Sequence, residues 1–197
     1  MNVDPYQPPK SELVSVVEEK QFQFYVVSIK KFTVLFFATL GLYSIYWFYK
    51  NWKEFKLYNN ANIWPVARGM FNIFFAHKLF SEIQSALKKR DILFDWAPNA
   101  LAIAYVALSI VGNILDRMSM KEIGSPYTDL LGILILLLIY LTLLKPQKAI
   151  NLSQDDIEGA SNRTYTVANV AWISLGLLLW AISAFGLLIM FGIVDME

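Results

Sequence analysis

Residues 130–144 read LLGILILLLIYLTLL and contain no charged side chain. Asp129 and Lys145 bound this apolar run, and Tyr127 and Thr128 add to the length of the segment. A helix needs roughly 20 mainly apolar residues, with a range of about 17–25, to cross the hydrocarbon core of a bilayer. Because lipid offers no hydrogen bonds, a chain inside it must satisfy its backbone polar groups internally, as a helix does. Residues 127–144 therefore predict a transmembrane helix.

Three other segments predict transmembrane helices on the same grounds: residues 32–49, 97–115 and 166–194, none of which carries a charged side chain. The composition agrees, since 56% of the residues are hydrophobic, 17% are charged and the mean hydropathy is +0.44. An average soluble domain has about 25% charged residues. The sequence thus predicts an all-α, polytopic membrane protein, with a four-helix transmembrane bundle in one domain over residues 32–194. A polar tail over residues 1–31 precedes it.

Several classes of function lack the residues that they need. A net charge of +1 gives no electrostatic basis for binding nucleic acid. The chain has no cysteine, which excludes disulfides and thiolate metal sites, and its single histidine, His77, has no second histidine at ligand spacing. No nucleotide-binding or hydrolase motif occurs. We therefore predict no cofactor, no metal site and no enzymatic activity.

Small and polar residues indicate where the predicted helices pack. Ala100, Ala104 and Ala107 recur at spacings of four and three, which puts them on one side of the second predicted helix. Small residues allow helix backbones to approach closely in a membrane. The predicted helix-packing residues are Gly41, Ala100, Ala104, Ala107, Asn113, Asn169 and Gly176.

The segment between the first two predicted membrane helices contains an amphipathic helix over about residues 70–90. Its apolar residues, among them Leu79 and Ile83, fall on one side, and its charged residues fall on the other. One interpretation is an interfacial helix at the level of the headgroups, with its basic end toward anionic lipid. The other is a helix that packs against the cytoplasmic edge of the bundle.

Aromatic and basic residues predict contacts with the membrane surface. Trp47 and Trp52 lie at the end of the first predicted helix, and tryptophan prefers the headgroup region, where its ring is buried while its N–H stays hydrated. Arg68 is expected to reach a phosphate headgroup or a helix C-terminus. The predicted lipid and interface residues are Trp47, Trp52, Arg68, Lys88, Lys89 and Arg90.

Lysine and arginine residues predict the orientation. Residues 50–96 and 145–165 carry most of them, and cytoplasmic loops are enriched in these two residue types. Four membrane crossings would then place both termini on the same, non-cytoplasmic side.

Residues 39–49, TLGLYSIYWFY, follow the pattern Thr-x-Gly-x-Tyr-x-x-Tyr-Trp-Phe-Tyr. This pattern resembles the hallmark of a family of small, uncharacterised bacterial inner-membrane proteins, in which it closes the first helix. The similarity continues through residues 64–68, 145–151 and 162–180, so it covers most of the chain beyond residue 20. The resemblance implies a multi-pass protein of the bacterial inner (cytoplasmic) membrane, and it implies no activity or substrate.

Three functions follow from these features. The first, which the sequence favours, is a non-enzymatic accessory or scaffold protein that binds anionic lipid, another membrane protein or a second copy of itself. The second is a small transporter or channel-like oligomer, whose path would be lined by Ser44, Asn113, Ser174 or Ser183. The third is an enzyme acting on lipid headgroups, for which carboxylates such as Glu54 and Glu82 would have to converge with His77.

Overall fold

The computed structural model describes residues 21–194, and these residues form helices, turns and extended segments without any strand. The helices are α1 (Ile29–Ala38), α2 (Tyr43–Asn59), α3 (Pro65–Met70), α4 (Asn72–Lys89), α5 (Pro98–Ser119), α6 (Tyr127–Ser153) and α7 (Val167–Met190), with a short 3₁₀ helix at Ala160–Asn162. The predicted all-α fold is confirmed for this part of the chain.

Helices α5, α6 and α7 are long and apolar enough to cross a membrane, and within residues 21–194 no other helix is. They confirm the predictions made for residues 97–115, 127–144 and 166–194. Both α5 and α6 run further than predicted, to Ser119 and to Ser153. These three candidate spans fit a helical integral membrane protein.

The predicted first membrane helix, residues 32–49, is not found as one helix. Helix α1 ends at Ala38 and α2 begins at Tyr43. Between them, Leu40 and Gly41 have φ angles of 52° and 82°, and such left-handed conformations end a helix. A fourth transmembrane helix is therefore not confirmed.

Helices α1 and α2 instead form a hairpin whose turn lies beside the middle of the long helices α6 and α7. Helix α1 has 10 residues and is about 15 Å long, whereas a hydrocarbon core is about 30 Å thick. The turn packs against the middle of two spans. A Cβ on Gly41 would lie 2.7 Å from Leu136 Cδ1, and Trp180 Nε1 donates a hydrogen bond to Phe37 O at 2.7 Å.

The two open ends of the hairpin lie at the same end of the molecule. Lys31 Nζ donates a hydrogen bond to Asn162 Oδ1 at 2.7 Å, in the α6–α7 connection, and Tyr25 N donates one to Asn51 Oδ1 at 3.1 Å, in α2. We call this end the near face. The connection between α5 and α6, residues 120–126, and the end of α7 form the opposite, far face.

An extended segment, residues 21–28, crosses the near face and is packed rather than forming a tail. Phe24 and Val27 in it are fully buried. Side-chain amides, not a neighbouring strand, satisfy its backbone groups. The residues that supply these amides are Asn51, Gln147, Asn151, Gln154 and Asn162. The first 20 residues of the predicted tail lie outside the described residues.

Helix α4 has the predicted sidedness, with Leu79, Phe80 and Ile83 fully buried. Its apolar side packs against α5 and α6. Of the two interpretations made from the sequence, packing against the bundle is therefore the one observed, and an interfacial helix is not confirmed.

Candidate functional site

Helix α7 stands apart from the other two spans. No Cα atom of α7 lies within 8 Å of a Cα atom of α5 or α6, and among the described helices it approaches only α1. This contact is close, because a Cβ on Gly176 would lie 1.7 Å from Ala38 O. Gly176 is one of the residues named above as candidates for helix packing. Helix α1 ends beside the middle of α7, so the far half of α7 has no neighbouring helix among the described residues.

A cleft of about 910 Å³ fills the space between the far half of α7 and the α5–α6 pair. The hairpin turn, residues 40–42, lines this cleft on the side of the near face. The cleft extends from there to Ser119 and Thr128 at the far ends of α5 and α6. Gly186 lines the cleft from α7, and a Cβ on it would meet no atom within 4 Å. The cleft therefore has about the depth of one leaflet of a bilayer.

Polar side chains form a row along the α5 wall of this cleft: Ser109, Asn113, Asp116 and Ser119. Ser109 and Asn113, which lie nearer the hairpin turn, form hydrogen bonds within their own helix. Ser109 Oγ donates to Tyr105 O at 2.7 Å, and Asn113 Nδ2 donates to Ser109 O at 2.8 Å. The facing α6 wall is apolar, with Ile133 and Leu136 among its residues.

Two carboxylates lie at the far end of the cleft. Asp129 accepts a hydrogen bond from Ser119 Oγ, while its Oδ2 is buried and has no partner among the described residues. Asp129 lies in the first turn of α6, where the helix dipole favours a negative charge. Asp116 Oδ1 lies 3.9 Å from the position of a Cβ on Gly132. The sequence analysis placed Asp116 outside the spans, because it ended that helix at residue 115, and it treated Asp129 as the border of the apolar run that begins at residue 130.

The residues predicted to line a transport path are mostly in the cleft. Ser44, Asn113 and Ser183 line it. Ser174 is exposed on α7 outside the cleft.

The predicted membrane anchors Trp47 and Trp52 are instead fully buried in the protein. Trp47 Nε1 donates a hydrogen bond to Gln147 Oε1, and Trp52 Nε1 is buried without a partner among the described residues. The hairpin turn folds α2 back toward the near face, which covers its aromatic side with protein. The two indoles therefore belong to the core, and a headgroup role does not fit their placement.

Arg68 lies between two aromatic rings. Its Cζ atom is 4.3 Å from the centroid of Trp52 and 5.0 Å from that of Phe75. Desolvation lowers the pKa of the Arg68 guanidinium from its ordinary value, and the charge of Glu82 acts in the opposite direction. Arginine stays protonated under such shifts. Within residues 21–194, no hydrogen bond or ion pair engages this guanidinium.

The predicted basic cluster Lys88, Lys89 and Arg90 is exposed at the near face. Arg90 Nη1 donates to Ser153 O, and Arg90 Nη2 lies 3.9 Å from Asp155 Oδ2. Arg90 therefore ties the end of α4 to the end of α6, while Lys88 and Lys89 stay open to solvent or headgroups.

The predicted alanine stripe is not the buried side of α5. Ala100 and Ala107 are exposed and Ala104 is half-buried, whereas Ala102 and Tyr105 are buried. The small residue that does meet α6 is Gly112, where a Cβ would lie 3.3 Å from Ile135 Cγ2. The spacing of the alanines does not identify the buried side of α5, because Ala102 and Tyr105 define another side of the same helix, and this is the side that is buried.

The remaining predicted packing residues have local roles. Asn113 bonds its own helix, and Asn169 forms a capping box with Thr166 at the start of α7. Gly41 does allow a close approach, to Leu136, but from the hairpin turn and not from within a helix.

The carboxylates considered for headgroup chemistry do not converge on His77. Glu54 pairs with Lys50 and Glu82 pairs with Lys78, each one helical turn away, and His77 is exposed. Among residues 21–194, no group of three or more His, Cys, Asp or Glu residues is arranged to hold a metal ion.

No protein-family model, curated protein or solved structure matches this chain. The resemblance of residues 39–49 to a family of bacterial inner-membrane proteins therefore stays a prediction.

Proposed function

We propose that this is a non-enzymatic membrane protein that holds the acyl chain of a phospholipid in the cleft between α7 and the α5–α6 pair. The observation that carries the proposal is the depth of the cleft. Along α6 its lining runs from Thr128 to Ile139, a rise of about 17 Å, and residues 70–74 at the α3–α4 corner border it on the near side. A lipid acyl chain spans one leaflet of about 15 Å, half of the hydrocarbon core, and matches this length.

A transmembrane helix from a partner is a poorer match. Such a helix needs a groove along the full thickness of about 30 Å. Helix α1 occupies the near half of the space beside α7, where Gly176 and Ala38 are in contact. The groove that remains is about half as long as a transmembrane helix of a second copy or of another membrane protein would need.

The distribution of polar groups supports a lipid as well. Ser109 and Asn113, the two polar residues of the α5 row nearer the hairpin turn, form hydrogen bonds within their helix. This part of the cleft therefore presents few free hydrogen-bonding groups. Ser119, Asp116 and Asp129 lie at the far end, which is the level that the headgroup of a far-leaflet lipid would reach. Apolar walls with polar groups at one end are typical of sites for amphiphiles.

We further propose that the near face is cytoplasmic and that the membrane is the bacterial inner membrane. Apart from Arg117 and Lys121, every Lys and Arg of the described chain lies toward the near face. Cytoplasmic segments near the ends of spans carry an excess of these residues. With three spans, residue 21 is then cytoplasmic and residue 194 is not, which replaces the prediction of two termini on one side.

Filling the cleft tests the proposal. Gly186→Leu introduces a side chain into open space on the cleft wall, and we expect it to displace lipid rather than protein. The measurement is native mass spectrometry of the full chain extracted in a mild detergent. The number of phospholipids retained per chain should be lower in Gly186→Leu than in the wild type.

Ala184→Leu is the matched control, because Ala184 is exposed on the same helix and does not line the cleft. It should retain as much lipid as the wild type. Equal retention in Gly186→Leu and the wild type would contradict the proposal. A bound protein in place of lipid would reassign the cleft to a partner or to a second copy.

A small transporter is the second candidate, because Asp116 and Asp129 are ionisable groups on the wall of a cavity within the spans. Such residues often mark solute or proton pathways. This candidate requires solute flux into liposomes containing the wild-type protein, and flux that falls in Asp116→Asn. Absence of flux across a broad panel of solutes would rule it out.

A further inference from the structure

The corner between α3 and α4 presents apolar side chains to the surroundings. Trp64, Phe71 and Phe74 are 71%, 57% and 74% exposed. Met70 and Phe71 also line the cleft, so this surface is continuous with the surface of the spans. Arg68 lies one helical turn after Trp64 and one before Phe71, in the middle of this corner.

The contacts of α4 fix the depth of this corner. Tyr105 OH donates a hydrogen bond to Asn72 Oδ1 at 2.6 Å, at the first residue of α4. Tyr105 lies two turns into α5, about 10 Å from its near end. Phe75, which contacts Arg68, lies about one turn of α4 closer to the near face. The Arg68 guanidinium is therefore about 5 Å inside the near end of α5, at the border of the hydrocarbon core.

Two aromatic rings contact this guanidinium. Trp52 and Phe75 lie against it, at 4.3 Å and 5.0 Å. The backbone of α3 is fixed as well, since a Cβ on Gly69 would lie 2.8 Å from Tyr49 Cβ on α2. Rings that cover the faces of a guanidinium leave its edge, which carries the N–H groups, for a ligand.

A ligand that accepts from two donors on this edge would be an anion with paired oxygens. No carboxylate of the described residues forms an ion pair with Arg68, and its edge donors have no acceptor there. A phosphodiester accepts two parallel hydrogen bonds from a guanidinium. At the border of the hydrocarbon core, with Trp64 and Phe71 exposed beside it, the phosphodiester available is that of a membrane lipid.

We propose that Arg68 binds the phosphate of a near-leaflet phospholipid, whose acyl chains lie on Trp64, Phe71 and Phe74. Arg68 and Trp64 do not line the cleft, whereas Phe71 and Phe74 border it at its near end. The Arg68 site differs from a general attraction of the basic near face, because it depends on one arginine contacted by two rings.

The test compares two lipids that share acyl chains and differ in the phosphate. The full chain is reconstituted in nanodiscs of phosphatidylcholine with equal amounts of phosphatidylglycerol and diacylglycerol, extracted in a mild detergent, and analysed by native mass spectrometry. We expect the wild type to retain phosphatidylglycerol over diacylglycerol. In Arg68→Gln this ratio should fall about tenfold, as for the loss of a hydrogen bond to a charged group.

Arg163→Gln is the matched control, because Arg163 is an exposed arginine at the near face without ring contacts. Its ratio should equal that of the wild type. An unchanged ratio in Arg68→Gln would overturn the proposal, and so would an equal fall in Arg163→Gln. Excess inorganic phosphate should leave the ratio unchanged, whereas displacement of lipid by it would assign the site to free phosphate and overturn the lipid assignment.

Two further variants keep the outcome decisive. If Arg68→Gln is not recovered folded, Phe75→Leu removes one ring and keeps the charge, and it should lower the same ratio; no change would count against the site. Gly186→Leu should reduce the total lipid retained without changing the ratio. The cleft and the Arg68 site can therefore fail independently.

Discussion

Asn151 is a buried side chain that holds the extended segment, residues 21–28, on the near face. It is fully buried, its Oδ1 accepts from Val27 N at 3.4 Å, and its Nδ2 donates to Val27 O at 2.9 Å. Asn151→Ala would leave two backbone groups buried without partners, at about 1–3 kcal/mol each. We expect the free energy of unfolding to fall by about 2–6 kcal/mol, measured by thermal unfolding in detergent.

Asn113→Ala provides the comparison, since Asn113 is exposed and bonds only its own helix. It should change the free energy of unfolding by less than about 0.5 kcal/mol. Equal stability of Asn151→Ala and the wild type would mean that residues 21–28 are not held by this amide.

Gly176 fixes the contact between α7 and α1. A Cβ there would lie 1.7 Å from Ala38 O, which is backbone and cannot rotate away. Gly176→Ala should therefore push α7 from the hairpin and cost about 1–3 kcal/mol of stability, as overpacking does. The check is a lower melting temperature in detergent than that of Gly186→Ala, a variant of the same helix with open space at the substituted position. If both variants melt alike, α1 and α7 do not pack as described.

The α1–α2 hairpin is the part of the fold that the sequence did not predict. Residues 32–49 are apolar throughout, and this property alone does not distinguish a full span from two half-spans. The informative signal is local. Thr39 Oγ1 accepts from Tyr43 N at 3.0 Å, and Gly41 takes a positive φ, so these residues end one helix and begin the next. The glycine was assigned to close helix packing, and its turn role was missed.

The later spans were predictable because their hydrophobic runs have no competing signal. Helices α5, α6 and α7 lie where the apolar runs predict them. The contact partners were not predictable, because alanines on α5 and leucines around α6 fit more than one side of a helix. The cleft exists because α1 is too short to cover the far half of α7, and sequence patterns do not predict where α1 ends. Three of its lining residues, Ser44, Asn113 and Ser183, are nevertheless among those predicted to line a transport path.

The number of membrane crossings determines how the whole molecule is oriented. Four crossings place residue 21 opposite to the α6–α7 connection, whereas three crossings and a hairpin place them together. The structure joins the two directly, since Asn162 Nδ2 donates to Val26 O at 2.9 Å and Gln23 N donates to Gln154 Oε1 at 2.7 Å. With the near face cytoplasmic, as proposed above, residue 21 does not have to cross the membrane.

Single cysteines test this topology without background, since the chain has none. Gln21→Cys, Ser161→Cys and Met120→Cys each replace an exposed residue outside the helices α1 to α7. In intact cells, a membrane-impermeant maleimide should label Met120→Cys at the far face and leave Gln21→Cys and Ser161→Cys unlabelled until the membrane is permeabilised. Labelling of Gln21→Cys together with Met120→Cys would restore the fourth crossing. Labelling of Gln21→Cys and Ser161→Cys but not Met120→Cys would keep the hairpin and reverse the orientation, because the near face would then lie outside despite its lysines and arginines.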